Sequence, residues 1–153
     1  MSYSSTMLNR EYEGQDRCGV AKTLEIVGER WTLLIVRDAF FGLRRFEEFQ
    51  SSLGIARNVL TDRLNRLVDE GIFDRVRYSE RPERFEYRLT PKGRELTIAL
   101  TALREWGERH VLEHPPRVLR RRSDGKPVTA ALVPKGTKTL KANEVELVPR
   151  LRR

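Results

Sequence analysis

The sequence predicts a mainly α-helical fold with a small β-hairpin, and three observations within residues 42–94 support it. Apolar residues first recur at three- and four-residue steps in two stretches that are separated by Gly54. After Gly71 the period of the apolar residues falls to two, as in a β-strand. A Thr-Pro pair at residues 90–91 then opens another helix. Two helices in a turn, followed by a hairpin and a further helix, form a winged helix-turn-helix.

The helix-turn-helix is encoded by two amphipathic stretches. Phe46, Phe49 and Leu53 fall on one face of a short helix, and Gly54 ends that helix as glycine commonly does. The next helix is predicted over residues 56–70, because apolar residues again recur with helical spacing. The residues that form its core face are Leu60, Leu64, Leu67 and Val68.

The hairpin is encoded by the alternation of apolar and charged residues after the second helix. One strand is predicted over residues 73–78 and the other over residues 85–89, with the polar loop 79–84 between them. Thr90 then suits the N-cap of the next helix, and Pro91 suits its first position.

Length and composition predict one core domain with an appendage. The chain has 153 residues, a single cysteine and no run of 18 apolar residues, so neither a disulfide framework nor a membrane-spanning helix is expected. Its first 16 residues lack the apolar stretch of a secretory signal. We expect an intracellular protein with an N-terminal arm (1–16), a winged helix-turn-helix domain (17–114) and a basic extension (115–153).

The positive charge is unevenly distributed. The formal net charge is +8, and residues 117–153 supply all of it with 11 Lys+Arg against 3 Asp+Glu. Within residues 42–94 there are 12 basic and 9 acidic residues, but 11 of the 12 are arginine. Arginine binds phosphate and guanine bidentately, and these arginines concentrate at a helix start and in the hairpin. This favours a DNA-binding surface over the alternative of solvated or salt-bridged side chains.

The longer helix of the turn is the candidate recognition helix. Its leucines and its polar residues occupy opposite faces at about 100° per residue. Because the N-terminal turns of such a helix contact bases, we expect base contacts from Arg57, Asn58, Thr61, Asp62 and Asn65. Asn58 suits adenine, Asp62 suits the amino group of cytosine, and Thr61 suits a thymine methyl or a phosphate. A merely solvated helix face is the alternative, and the adjacent hairpin counts against it.

Phosphate contacts are expected from arginines around this helix, which would set the position of the protein on the duplex. The candidates are Arg44, Arg45, Arg66, Arg77, Arg81 and Arg84. Arg81, beside Pro82 at the hairpin tip, is well placed to enter a minor groove. Arg63 lies nearer the core side of its helix, where an internal ion pair is the expected role.

Six motifs occur in order along residues 17–112. They are CGVA at 18–21, IVGERWTLLIVRD at 26–38, FGLRRF at 41–46, GIA at 54–56, LTDRL at 60–64 and EYRLTPKG at 86–93. Together they resemble the HxlR family of bacterial transcriptional regulators, which is related to the MarR winged-helix proteins. Gly19 departs from the proline that commonly follows the cysteine in that family, and Ala56 gives the recognition helix no N-cap side chain.

The resemblance implies a dimeric DNA-binding regulator of the bacterial cytoplasm and nucleoid. Such a regulator is often a repressor of a nearby operon and responds to oxidants, electrophiles or metabolites. The partners implied are double-stranded DNA, a second copy of the chain and an oxidant or small-molecule effector.

The helix after Pro91 also predicts a dimer. Its apolar residues wrap much of its circumference, whereas a surface helix needs only one apolar stripe. We expect one side to pack on its own domain and the other on a second copy; the alternative is a helix buried within a larger monomer. A two-fold dimer predicts pseudo-palindromic half-sites about 10 bp or a multiple apart. The expected interface residues are Val20, Leu24, Val27, Leu96, Leu100, Leu103 and Trp106.

Cys18 is the candidate redox sensor. It precedes the first helix and follows Arg17, and both features favour the reactive thiolate. The alternative is a buried, small apolar residue with no sensing role. A small-ligand pocket near Trp31 and Phe40 is a further alternative, although such aromatics more often belong to a core.

The C-terminal extension predicts a small β-meander. Asp124-Gly125 is typical of a hairpin turn, and residues 128–133 and 145–148 have the composition of strands. Its basic residues either extend the DNA footprint or supply solubility, and the sequence does not decide between these roles.

No enzyme, cofactor or metal site is expected. The sequence has no glycine-rich phosphate loop, nucleophile elbow or metal-binding cysteine pair, and His110 and His114 lack further ligands nearby. The sequence therefore predicts a sequence-specific, homodimeric DNA-binding regulator, with repression as the expected sign and release through Cys18 or a small ligand. The competing hypothesis is a winged-helix protein–protein interaction module that does not bind DNA specifically.

Overall fold

A computed structural model describes residues 11–150 of the chain, and the first ten residues of the predicted N-terminal arm lie outside them. The chain divides into a first unit that ends at Gly93 and a second that begins at Arg94. The helices are α1 (Gly19–Val27), α2 (Thr32–Phe40), α3 (Phe46–Leu53), α4 (Arg57–Asp69), α5 (Pro91–Arg94) and α6 (Leu96–His110). The strands are β1 (Phe73–Glu80), β2 (Glu83–Leu89), β3 (Arg117–Arg121) and β4 (Val145–Pro149).

The mainly helical winged helix-turn-helix predicted from the sequence is confirmed. Helix α4 begins at Arg57 and ends at Asp69, within one residue of the prediction at each end. Gly54 (φ 63°) and Gly71 (φ 68°) lie in the left-handed region, which glycine adopts without a steric penalty. Each glycine therefore closes the helix before it and turns the chain into the next element.

The core of the first unit fixes the inner face of α4. Leu60, Leu64 and Leu67 have no exposed surface. Phe49 of α3 and Phe73 of β1 are also buried, and their ring centroids lie 6.3 Å apart. Burying each of these side chains stabilises the fold by about 1.5–3 kcal/mol. The opposite, polar face of α4 is consequently directed to solvent.

The wing is an antiparallel pair of β1 and β2, with Phe73 opposite Leu89. Its second strand is also anchored to the segment that leads into α3. The backbone N–H of Tyr87 donates to the carbonyl of Arg44 over 2.7 Å, and Arg45 forms a bridge with Glu86. The hairpin is thus attached to the helix-turn-helix by backbone hydrogen bonds as well as by core packing.

The helix predicted after Thr90 is divided in two at Glu95. Thr90 caps α5 as predicted, because its Oγ1 accepts from the N–H of Gly93 over 3.0 Å. Helix α6 then runs for 15 residues, and none of its side chains is fully buried in the chain.

The C-terminal extension contains one antiparallel pair, β3 with β4, in which Leu119 lies opposite Leu147. The predicted turn at Asp124-Gly125 is confirmed: Gly125 has φ 69°, and the N–H of Arg121 donates to the carbonyl of Lys126 over 2.8 Å.

The strand predicted over residues 128–133 is wrong. Within this range Val128 alone bonds β3, since its N–H donates to the carbonyl of Leu119 over 3.0 Å beside the isolated bridge of Pro127 with Arg120. Pro127 has no N–H to donate to a ladder, and residues 131–141 are all exposed. A β-meander is therefore reduced to a hairpin with a long exposed loop.

The domain boundary expected at residue 114 stays a prediction, while the second compact unit begins at Arg94 and includes α6. Helix α6 belongs with the extension, because Glu105 of α6 accepts hydrogen bonds from the Oγ1 of Thr129 (2.7 Å) and the N–H of Ala130 (3.1 Å). The acceptor of both bonds is a half-buried side chain of α6, which the amphipathic pattern alone did not assign to the extension.

A candidate nucleic-acid interface

The polar face of α4 is exposed to solvent. The five residues predicted to contact bases are all exposed. They line one open depression of about 660 Å³. Its lining residues are Arg57, Asn58, Thr61, Asp62 and Asn65.

These five side chains differ in how they are engaged within the chain. Asn58 and Asn65 make no side-chain hydrogen bond to any part of residues 11–150, so their amides remain free to read a base edge. The hydroxyl of Thr61 donates to the carbonyl of Arg57 over 2.9 Å and is thus engaged by the backbone of its own helix. The carboxylate of Asp62 pairs with the guanidinium of Arg63.

The first residue of α4 is held by an aromatic ring. The guanidinium carbon of Arg57 lies 4.7 Å from the ring centroid of Phe46, the first residue of α3. A cation over a ring at this distance gains about 0.5–1 kcal/mol at an exposed site. The side chain is therefore oriented before any ligand binds.

The backbone of Arg44 and Arg45, two of the predicted phosphate ligands, is held in place at the start of α3. The Glu48 carboxylate accepts from the backbone N–H groups of Arg44 and Arg45, both over 2.8 Å. These two hydrogen bonds hold the pKa of Glu48 below its usual value. The guanidinium of Arg45 lies 4.7 Å from the ring centroid of Tyr78 in the wing, whereas the side chain of Arg44 is exposed.

The arginines of the wing fall into two groups. Arg77, a predicted phosphate ligand, lies 3.7 Å from a carboxylate oxygen of Glu80 and 3.4 Å from one of Glu83. Arg81 and Arg84 are exposed and form no ion pair within the part of the chain that the structure describes. The wing tip therefore has two available cations, and Arg77 is partly neutralised by its neighbours.

Sequence reasoning missed one further arginine of the wing. Arg75 packs on the ring of Phe85, with its guanidinium carbon 3.7 Å from the centroid. Its signal was present, since charged and apolar residues are interleaved on both strands.

Arg66 is placed differently from the sequence-based expectation of a phosphate contact. Its Nη2 donates to the backbone carbonyl of Glu25 in α1 over 2.6 Å, and its side chain is only 24% exposed. Arg63 forms the expected internal ion pair, with Nη1 2.6 Å from Oε2 of Glu29. These two arginines therefore bind the protein itself.

Cys18 is the N-cap residue of α1, as its place before the first helix predicted. Its Sγ accepts from the N–H of Ala21 over 3.5 Å, and the residue is half-buried. The thiol thus lies at the N-terminal end of α1. Reactivity of Cys18 stays a prediction.

The predicted dimer residues are divided between exposed and buried positions. Val20 (70%) and Leu24 (40%) of α1 are exposed, as are Leu103 (55%) and Trp106 (60%) of α6. Leu96 and Leu100 are half-buried. Val27 is only 4% exposed, so its side chain packs inside the first unit and is not on the surface where it was expected.

None of the helices described within residues 11–150 is long and apolar enough to cross a membrane. Over the same residues, no three His, Cys, Asp or Glu side chains are grouped so that they could hold a metal ion.

Comparison with known proteins places these features in a family. The sequence profile of the HxlR-like helix-turn-helix family matches residues 26–115. The helix-turn-helix-type transcriptional regulator Rv3095 of Mycobacterium tuberculosis is 48% identical over 128 residues, which cover 82% of this chain and 79% of that protein. The family match begins after Cys18, so it does not include the candidate sensor.

Two solved structures have similar folds. The crystal structure of PA1607, a transcription factor by its description, has a TM-score of 0.71 and 45% identity, and covers 80% of this chain and 87% of that one. The redox regulator HypR in its reduced form has a TM-score of 0.57 and 35% identity, and covers 61% of this chain and 96% of that one.

Proposed function

The chain belongs to the HxlR-like helix-turn-helix family of transcriptional regulators, and from that premise we propose that it binds double-stranded DNA sequence-specifically as a homodimeric repressor. The observation that carries this proposal is the exposed polar face of α4. A core of three leucines holds that face outward, and its five candidate side chains line one open depression. A helix so placed within a winged helix-turn-helix enters the major groove.

Base reading is assigned to the N-terminal turns of α4. The free amides of Asn58 and Asn65 match the acceptor and donor of adenine in the major groove. Thr61 presents its methyl group to a thymine methyl, because its hydroxyl is already bonded to the helix backbone. Asp62 is assigned to the amino group of cytosine, and Arg57, oriented by Phe46, to guanine.

Backbone positioning is assigned to the cations that remain available. Arg44 at the start of α3 and Arg81 and Arg84 at the wing tip are exposed. Each phosphate that such a cation neutralises releases counterions, which makes affinity dependent on salt. Arg45 and Arg77 contribute less, since Arg45 packs on Tyr78 and Arg77 is paired with glutamates.

A homodimer is proposed from apolar side chains that the single chain leaves uncovered. In α6 these are Ile98 (70%), Leu103 and Trp106, with Val111 (67%) and Leu112 (50%) following the helix. In α1 they are Val20 and Leu24. Exposed apolar residues in this density mark an interaction surface, and a second copy bearing the same surfaces is the partner that a two-fold DNA site requires.

Release from DNA is proposed to follow oxidation of Cys18. The support is its position at the N-terminus of α1 and the 35% identity to HypR, which is described as a redox regulator. A small-molecule effector is the alternative trigger.

The experiment that tests the proposed function is selection of genomic DNA fragments by the purified, reduced protein at near-physiological salt, followed by sequencing. Enrichment of an inverted repeat with half-sites about 10 bp apart, or a multiple of it, is the expected result. Salt-sensitive background binding without an enriched motif would overturn the proposal and favour the winged-helix protein–protein module.

A further inference from the structure

Two arginines on α4 bind the corner between α1 and α2, and Arg63 also pairs with Asp62 on the polar face. Arg66 donates from Nη2 to the carbonyl of Glu25, 2.6 Å away. Arg63 contacts Oε2 of Glu29 at 2.6 Å through Nη1 and donates from Nε to the carbonyl of Arg30 over 3.4 Å. We call these two arginines and their three partners in the corner the corner clamp.

The acceptors of the corner clamp are groups that need a partner. The carbonyl of Glu25 lies in the last turn of α1, where carbonyl groups carry the negative end of the helix dipole. The Nε of Arg66 is buried without a hydrogen-bond partner among the described residues, although the side chain as a whole is 24% exposed and lies 3.9 Å from Glu70. A buried polar group of this kind favours the one orientation in which the guanidinium keeps its other bonds.

The corner itself is strained. Trp31, the residue between α1 and α2 that caps α2, has φ 79°, in the left-handed region that bulky residues rarely adopt. Such a conformation persists only where the surroundings fix it. Arg63 binds the carbonyl of Arg30, the residue directly before it, and the guanidinium of Arg30 lies 5.1 Å from the Trp31 ring centroid.

We propose that Arg63 and Arg66 are positioning residues that set the orientation of α4 for base reading. They act through the α1–α2 corner and do not touch DNA. Residues 63 and 66 are one helical turn apart, so two bonds along one flank oppose rotation of α4 about its axis. A rotation of that kind would move Asn58 and Asn65 together away from their base edges. The proposal rests on the proposed function, since it concerns the same interface.

A consequence is that α1 and α4 move together. Helix α1 follows its N-cap residue Cys18 and ends next to the clamp, so a displacement of α1 reaches the recognition helix through the carbonyl of Glu25. The corner clamp therefore gives a physical link between the start of the domain and the base-reading side chains.

The test uses the full chain and the inverted repeat selected by the wild-type protein. Arg66→Gln and Glu29→Gln should each lower affinity for that repeat by about 2- to 30-fold, while affinity for a scrambled duplex is unchanged. The salt dependence of specific binding should stay the same, because no phosphate contact is lost. Arg66→Lys should recover part of the affinity, since an ammonium group can still donate to the Glu25 carbonyl.

The control is Arg120→Gln, which breaks an ion pair of 2.8 Å with Glu146 in the second unit. It should lower thermal stability without changing the preference for the repeat. A loss of stability alone in the clamp variants would overturn the proposal, and a salt slope reduced by about one would instead make Arg66 a phosphate ligand.

Two safeguards keep the result decisive. If Arg66→Gln does not fold, Glu29→Gln and Arg66→Lys carry the test, because both variants keep a basic residue at positions 63 and 66. If the wild-type protein enriches no repeat, the proposed function fails by itself. The clamp would then be tested by hydrogen exchange of the backbone amides of residues 57–69, which should be faster in Glu29→Gln. Unchanged exchange in that variant would contradict the clamp.

Discussion

Glu48 caps the segment that leads into the recognition unit. Its carboxylate bonds the N–H groups of Arg44 and Arg45, and its pKa is lowered by those bonds. A carboxyl group with a lowered pKa in the folded state contributes stability that is complete above its unfolded pKa. That contribution is lost as the pH falls through the lower, folded value.

We predict that Glu48→Ala lowers the free energy of unfolding by about 1 kcal/mol at neutral pH. The difference from the wild type should shrink as the pH falls below the ordinary glutamate value of 4.5. Urea denaturation across that pH range measures it. Glu47→Ala, one residue earlier in the same turn, is the control, and an equal, pH-independent loss in both variants would count against the cap.

Cys18→Ser separates the redox role of this residue from its structural one. Serine is a good N-cap, so the N–H of Ala21 keeps a partner and α1 keeps its start. We predict unchanged DNA affinity under reducing conditions and loss of release by hydrogen peroxide, measured by fluorescence anisotropy. Release that persists in Cys18→Ser would show that oxidation does not act at this site.

The residue scale is also where sequence reasoning stops. The exposed face of α4 was predictable, because helical periodicity separates three leucines from five polar positions. The role of Arg66 was not, since its hydrogen bond joins residues 41 positions apart. A helical wheel gives the flank on which Arg66 lies, but it does not show which backbone carbonyl of another helix lies within hydrogen-bond distance of its guanidinium.

At the scale of elements, the hairpin contains two arginines that differ in whether they are ion-paired within the chain. Arg81 at its tip is exposed and unpaired within the described residues, whereas Arg77 is paired with Glu80 and Glu83. We predict that Arg81→Ala weakens DNA binding and reduces the slope of log affinity against log salt by about 0.9, with sequence preference retained. Arg77→Ala is the matched control and should change the slope less. Equal slopes for Arg81→Ala and the wild type would remove the wing tip from the interface.

Helix α4, whose apolar residues recur with a clear helical period, was predicted well, and the strand over residues 128–133, whose period is weak, was not. Helix α4 combines three buried leucines with glycines on both sides, so its pattern and its breaks agree. Residues 128–133 are apolar enough for a strand, yet they follow Pro127 and find no continuous ladder partner. A strand needs a neighbour with free hydrogen-bonding groups, and composition does not report whether one is present.

At the scale of the whole molecule, the excess positive charge resides in a defined part of the extension. Three arginines of β3 and its turn are paired: Arg120 and Arg122 with Glu146, and Arg121 with Asp124. Residues 126–141 contain four lysines and no acidic residue, and all four are exposed. The match to Rv3095 spans 128 residues, more than the 114 that precede the extension, so part of the extension is shared with that relative.

The oligomeric state is the second property of the whole molecule. We predict that Leu103→Glu converts a dimer into a monomer, because it places a charge on the uncovered apolar face of α6. Sedimentation equilibrium measures the mass. Leu132→Glu adds the same charge to a leucine that is fully exposed outside that face and should leave the dimer intact. A wild-type protein that sediments as a monomer would contradict the two-fold operator.

The central claim is that the polar face of α4 reads bases, and Asn58 tests it most directly. Wild type, Asn58→Ala and the control Asp69→Ala, which lies in the last turn of the same helix, would be titrated against the selected repeat and all its single-base-pair substitutions. The account predicts that Asn58→Ala alone loses discrimination at one base pair in each half-site, worth about 1–3 kcal/mol. Discrimination retained at every base pair would contradict it.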